Sequence, residues 1–375
     1  MAAQHPDEAP LVSPHSALTT QHSALRLNLF TEVQCPPDIP PERRLDELME
    51  QAELADALGY DGLWVSEIHF QPEFSLLAAP YVVLGAIAAR TRRLRLGVAV
   101  NLLPVHHPLH LAEHAATLDV LSHGRAEFAM GRGHLYSRVY EGFGADRDAS
   151  REVMEESLQL ILAAWTRSPV EFHGRYYDVP EVAVTPRPLQ QPHPPVFWAT
   201  TSPDGVDAAA RLGLNVFFAI HLIPRADLVG YAAGYWDALR RHGHDPAGFE
   251  LGLNVPVHVA QTTEQARDEA RDGFMEYFRV NARIREGYVE WRERQGRGGV
   301  TLPERQSTNY ERLYAEAAVI GDPPTAVAVL RRLVADTGAT RLLCWMNMGS
   351  IPHAAVLRSL DLFAREVAPH LRAAP

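Results

Sequence analysis

The sequence predicts a (β/α)8 TIM barrel with long excursions after its fourth and seventh strands. Three observations lead there. Short β-rich runs alternate with amphipathic helical stretches, the pattern of a mostly parallel sheet. The runs number eight, which suits a closed barrel better than an open doubly wound sheet. No G-x-G-x-x-G turn follows the first run; the nearest approach, Gly131-Arg132-Gly133, has Tyr136 where the third glycine belongs.

Residues 1–24 mix Pro, Ser, Thr and His without periodicity. They lack a basic stretch followed by an apolar one, so they are expected to form a disordered tail rather than a signal peptide, with the barrel domain over 25–375. The first strand is expected at 25–30 with a helix over 43–58, the second at 62–66 with a helix over 76–91. The third follows at 94–100 with a helix over 109–121, and the fourth at 126–130 with a helix over 150–165. Residues 166–195, rich in proline and aromatics, form the first excursion. Strands at 196–199, 216–220 and 251–260 then alternate with helices over 204–212, 224–242 and 263–284. The second excursion, 285–320, carries dense charge and an Arg-Gly-Gly cluster, and precedes a helix at 323–337, a strand at 341–346 and a helix at 353–370. Excursions this long in a compact barrel are lids or binding loops, and 285–320 is the expected closing lid.

Composition narrows the function. A net charge of −11 disfavours nucleic acid and anionic membrane surfaces as partners, and no apolar run reaches the length of about 18 residues that a spanning helix needs. The two cysteines, Cys35 and Cys344, make neither a disulfide framework nor a four-thiolate zinc site and fit a reducing cytosol. All 35 basic residues are arginine. The absence of lysine removes Schiff-base chemistry and the P-loop, so a bound phosphate must be held by arginine, hydroxyls and backbone amides.

Four consecutive strands run into polar groups at their C-terminal ends, where the chemistry of such barrels sits. These are Ser66-Glu67, followed by Ile68-His69-Phe70; Asn101; Arg132 and His134; and Thr200-Thr201-Ser202. Ser202-Pro203-Asp204 reads as an N-cap, a first-turn proline and a first-turn acid. Such a helix start either closes on its own cap or binds a phosphate, with Arg132 supplying the charge. His110-Leu-Ala-Glu113-His114, preceded by His106-His107, matches the H-x-x-E-H zinc signature and keeps a zinc-dependent hydrolase open as an alternative.

Four blocks are recognisable together: ALGYDGLWVSEIHF (57–70), the long run from AARTRRLRLGVAVNLLPVHHP through HGRAEFAMGRGH (88–134), PPVFWATTSPDGVDAAARLGL (194–214) and CWMNMGSIPHAAVLRSLDLFAREVAPHL (344–371). On these the chain resembles the bacterial luciferase-like flavin monooxygenases. The resemblance implies a barrel that binds reduced FMN at its C-terminal face, and a separate NAD(P)H:flavin reductase that supplies it. Reduced FMN and O2 form a flavin hydroperoxide that oxidises a small organic substrate. Arg132 matches the arginine that grips the FMN phosphate, and Thr200, Thr201 and Ser202 the other phosphate-binding stretch. Ala99-Val100 falls where relatives have a non-proline cis peptide under the isoalloxazine ring, which puts Asn101 at the ring edge. Glu67 and His69 match the acid and second histidine of an E-H-H-F motif. The resemblance also implies a cytoplasmic homodimer paired through helices near the second and third strands.

One departure stands out. Ile68 occupies the place of the first histidine of that motif, which handles protons in relatives. The proton work then falls to Glu67, His69 or His134, or to the substrate, and no metal is expected; His114 stands where relatives have an acid, so the zinc spacing reads as coincidence. A deazaflavin-dependent oxidoreductase of the same superfamily and a non-catalytic flavin-binding chain remain alternatives.

Overall fold

The structure is a computed structural model that describes residues 25–133, 138–297 and 309–373. The expected tail at 1–24 lies outside the described residues. The first half of the barrel comprises β1 (Arg26–Thr31), α1 (Pro41–Leu58), β2 (Gly62–Val65), α2 (Pro80–Arg90), β3 (Arg95–Leu102), α3 (Pro108–Leu121) and β4 (Ala126–Gly131). After it come α4 (Val139–Phe143), α5 (Ser150–Thr166), β5 (Val170–His173) and β6 (Asp178–Val182). The second half begins with β7 (Val196–Ala199), α6 (Pro203–Arg211), β8 (Asn215–Ala219), α7 (Arg225–Arg241), β9 (Leu251–Val259) and α8 (Thr263–Arg294). It ends with α9 (Tyr310–Ala317), β10 (Val319–Gly321), α10 (Pro323–Thr337), β11 (Arg341–Trp345), α11 (His353–Leu362) and, after one π-helical turn, α12 (Ala368–Arg372).

Eight strands close a parallel ring in the order β1-β2-β3-β4-β7-β8-β9-β11, with β11 returning to β1. This is the expected (β/α)8 barrel. The first excursion contains the antiparallel hairpin β5–β6, and β10 adds to the far end of β9 beyond its pairing with β11. The second excursion differs from expectation. Its first ten residues continue α8 to Arg294, and Tyr288 within them is buried against α4. Dense charge on one face of a helix is compatible with an apolar stripe on the other.

Large and small side chains alternate in the lumen, as barrel taper requires. Trp64, Phe197 and Phe217 meet at centroid distances of 4.3–5.5 Å. Glycines face them: a Cβ on Gly97 would lie 2.3 Å from Trp64, and one on Gly252 would lie 2.5 Å from Phe217. At the N-terminal end, Arg341 of β11 is fully buried and forks onto Glu127 of β4 at 2.5 and 3.0 Å, and also bonds Glu250 at 2.9 Å. Arg95 adds a bond to Glu127 at 2.8 Å. The arginine charges outweigh burial, which alone would raise the Glu127 carboxyl, and hold it near a pKa of about 2. No helix among the described residues is long and apolar enough to cross a membrane.

Candidate active site

The mouth at the opposite end gathers the residues that the sequence singles out. Ladder register fixes their neighbours. Met130 of β4 pairs with Trp198 of β7, and Arg132 and Thr200 each follow that pair by two residues, just past the ends of adjacent strands. Arg132 is half-buried, and its carbonyl accepts the Tyr140 hydroxyl at 2.6 Å. Ser202 caps α6, its Oγ accepting the Gly205 amide at 3.3 Å, and the Ser202 amide donates to Thr200 Oγ1 at 3.3 Å. Gly205 is obligatory in this turn, because a Cβ there would lie 2.0 Å from Thr200 Oγ1. The cap is therefore satisfied internally, and Pro203 has no amide to offer. What remains for an anion is the Arg132 guanidinium, the Thr201 and Ser202 hydroxyl hydrogens and the Asp204 amide, joined by the Thr200 hydroxyl when it gives up its long 3.4 Å bond to Ser202 O.

The Ala99–Val100 peptide is cis, at the position expected from the resemblance. It coincides with a register shift between Val98 and Asn101 against β4, and Val100 packs over Gly131, where a Cβ would lie 2.7 Å from its side chain. Asn101 follows directly after this peptide. Its side chain has no exposed surface, and its amide nitrogen donates to Ala129 O at 2.9 Å. That bond ties β3 to β4 just beyond the register shift. His134 lies outside the described residues.

Glu67, just past β2, is the hub of the mouth. Its Oε1 accepts from His69 Nε2 at 2.8 Å and is also in contact with His106 Nε2, while its Oε2 accepts the Leu102 amide at 2.9 Å. Burial would raise the Glu67 carboxyl, but the hydrogen bonds from His106, His69 and the Leu102 amide bring it down to about 2. Among the described residues this is the one place where three His, Cys, Asp or Glu side chains converge, their nitrogens and oxygen lying within 4.8 Å of one another. The H-x-x-E-H motif does not build such a site: His110 and His114 stack on α3 with centroids 6.4 Å apart, and His107 Nδ1 accepts the Leu109 amide as a helix cap. A small cleft of about 40 Å³ opens beside Glu67, Ile68 and His69, walled by Phe74, Val139 and Ile284.

Two features of the mouth carry no sequence signal beyond residue type. Glu32 follows β1, and Val33 after it takes φ +50°, rare for a β-branched residue. Burial pushes the Glu32 carboxyl up to about 8, since a single bond from Gln34 at 2.9 Å opposes it weakly. Beside it, Tyr277 of α8 makes ring contacts with Phe74, His221 and Trp345 at 4.8–5.6 Å. Burial also pushes His221 down to about 3, so its imidazole is neutral. The other missed residue is His106, visible in the sequence only as a neighbour of the zinc-like motif.

A family profile described as luciferase-like monooxygenase matches residues 25–341. The chain belongs to that family. Among luciferase-like relatives, it is 26% identical to the alkanal monooxygenase alpha chain of the Kryptophanaron alfredi symbiont, covering 90% of this chain and 96% of the other. It is 29% identical to the oxygenase component of a flavin-dependent trigonelline monooxygenase of Acinetobacter baylyi, over 68% of this chain and 71% of that one. The crystal structure of the monooxygenase RslO1 from Streptomyces bottropensis superposes with a TM-score of 0.81 at 26% identity, covering 92% of this chain and 99% of the other.

Proposed function

We propose that this luciferase-like chain is an FMN-dependent monooxygenase that uses reduced FMN and O2 to oxidise a small organic substrate. One observation carries the reading: Arg132 and Thr200–Ser202 follow the C-terminal ends of two paired strands, β4 and β7, at the same barrel end as the Glu67–His69–His106 cluster. The donor set fits a phosphate monoester, with one planar cation and hydroxyls on the neighbouring strand end. Close backbone packing at Gly131 and Gly205, where added Cβ atoms would collide, shapes the floor between them. Bound reduced flavin supplies the electrons that activate oxygen.

The protein does the rest. Arg132, Thr200, Thr201 and Ser202 hold the phosphate, and the Ala99–Val100 backbone supports the ring. Asn101 braces that support from within the sheet. Glu67 orients His69 for proton transfer in the cleft, with His134 a further candidate on the β4 side. Phe74, Tyr277 and Trp345 exclude water. A separate NAD(P)H:flavin reductase supplies the flavin; the sequence carries no dinucleotide fingerprint, and a relative is itself the oxygenase component of a larger system. Pairing of two copies through α2 and α3 would cover Val82 and Leu121, which are exposed there. The two buried free cysteines suit a cytoplasmic setting.

Anaerobic titration with reduced FMN and, separately, a reduced deazaflavin tests the cofactor. Labelled oxygen and a panel of aldehydes, ketones and alkenes then test the reaction. One FMN per chain and one labelled oxygen in a product are expected. Binding of the deazaflavin with none of FMN would overturn the reading.

A further inference from the structure

Position 68 has lost the proton-carrying ring that its family motif places there, yet a second imidazole reaches the same carboxylate from another strand end. His106 arrives by way of the turn after β3 and meets Glu67 Oε1, the oxygen that also accepts from His69. The two rings lie with centroids 6.1 Å apart, and both are edged by Phe143 of α4. Their exposures differ in a useful direction. The His69 side chain is 9% exposed and lines the cleft, whereas the His106 side chain is 28% exposed. We propose that His106 supplies the ring missing at position 68, so that His69 and His106, joined through Glu67, act as one proton-exchanging pair in the wall of the cleft. This rests on the monooxygenase reading of the cleft.

Each ring directs Nε2–H at Glu67 Oε1, as a carboxylate orients a catalytic imidazole in a hydrolase triad. Each Nδ1 then keeps a lone pair, and no described residue bonds either one. A proton released in the cleft adds to His69 Nδ1, and the trio gains one positive charge while Glu67 keeps its bonds to both rings. Water carries that proton from His69 Nδ1 to His106 Nδ1, and the more open His106 releases it to bulk solvent. One proton enters and one leaves, and Glu67 stays ionised throughout. The charged and titratable neighbours are Tyr81 of α2, which feels Glu67, and His114 and His110 of α3, of which His114 feels His106 and Glu67. Tyr81 is held far from ionisation by burial and adds no charge beside the pair.

The discriminating variant is His106→Gln, whose amide nitrogen still donates to Glu67 but carries no proton. FMN affinity serves as the control for an intact fold and cofactor site. In cofactor-free protein, nitrogen NMR of the imidazoles should show Nε2 protonated on both rings, and Glu67→Gln should move both signals together. With FMN bound, His106→Gln should lower kcat by 10²-fold or more and simplify its pH profile, as loss of an acid–base group does. Adding Ile68→His to that variant should restore at least tenfold of the loss. Wild-type kcat and pH profile in His106→Gln would overturn the proposal and leave FMN binding untouched. Independent responses of the two rings to Glu67→Gln would also overturn it, as would a stoichiometric transition metal that this substitution releases. Failure of the parent protein to bind FMN would instead overturn the reading of the cleft.

Discussion

Glu32 and Glu67 follow neighbouring strands, are buried alike, and settle at opposite ends of the carboxyl range, about 8 and about 2. The difference is donor count: two imidazoles and a backbone amide on Glu67, one carboxamide on Glu32. Two carboxyls so divided can hold an acid and a base in one mouth. Glu32 also marks stability. Its folded pKa lies above the ordinary 4.5, so the folded state binds the extra proton between the two values. Stability should therefore fall as pH rises from about 4.5 to about 8, by up to about 1.4 kcal/mol per unit, and level off above. Glu32→Gln should flatten that slope in denaturant titrations at several pH values. At the phosphate end, Arg132→Ala should weaken FMN binding by about 1.5–3 kcal/mol, the scale of a charge-assisted hydrogen bond. Riboflavin, lacking the phosphate, should bind parent and variant alike; equal impairment would refute the role given to Arg132.

The regular pieces of the barrel were legible because period and punctuation agree there. All eight ring strands, and their following helices apart from the far end of α8, fall within a few residues of where alternation places them, and the Ser202 cap with its proline is read directly from three letters. What escaped is tertiary. The β5–β6 hairpin and the three-residue β10 are too short to show a period, and α8 runs ten residues past its expected end because Tyr288 finds a partner. That residue donates to Glu141 of α4 at 3.1 Å, and the Arg147 guanidinium lies 4.7 Å from its ring centre. His106 was overlooked for the same reason, since the turn after β3 decides where it points. Amide exchange should find 285–294 as protected as 263–284 in cofactor-free protein. Tyr288→Ala should speed exchange at least tenfold in the distal stretch alone. Rapid exchange there in the parent would show that the docked helix end is wrong.

The molecule divides its labour between the two ends of the ring. Chemistry gathers at one mouth, and the other is closed by the buried Arg341–Glu127–Glu250 network with Arg95 at its rim. Arg341→Met should cost about 3–5 kcal/mol, because it strands buried carboxylates, while FMN affinity per folded molecule stays unchanged. Adding Glu127→Gln should return part of that loss in urea unfolding. The same network bears on how the chain is made. Glu127 and its partner are 214 residues apart, so on the ribosome the carboxylate emerges long before the arginine that neutralises it. Until the last strand is translated, the nascent half-barrel carries that acid with only the rim arginines Arg95 and Arg26 beside it, and the ring gains its buried latch only as synthesis ends.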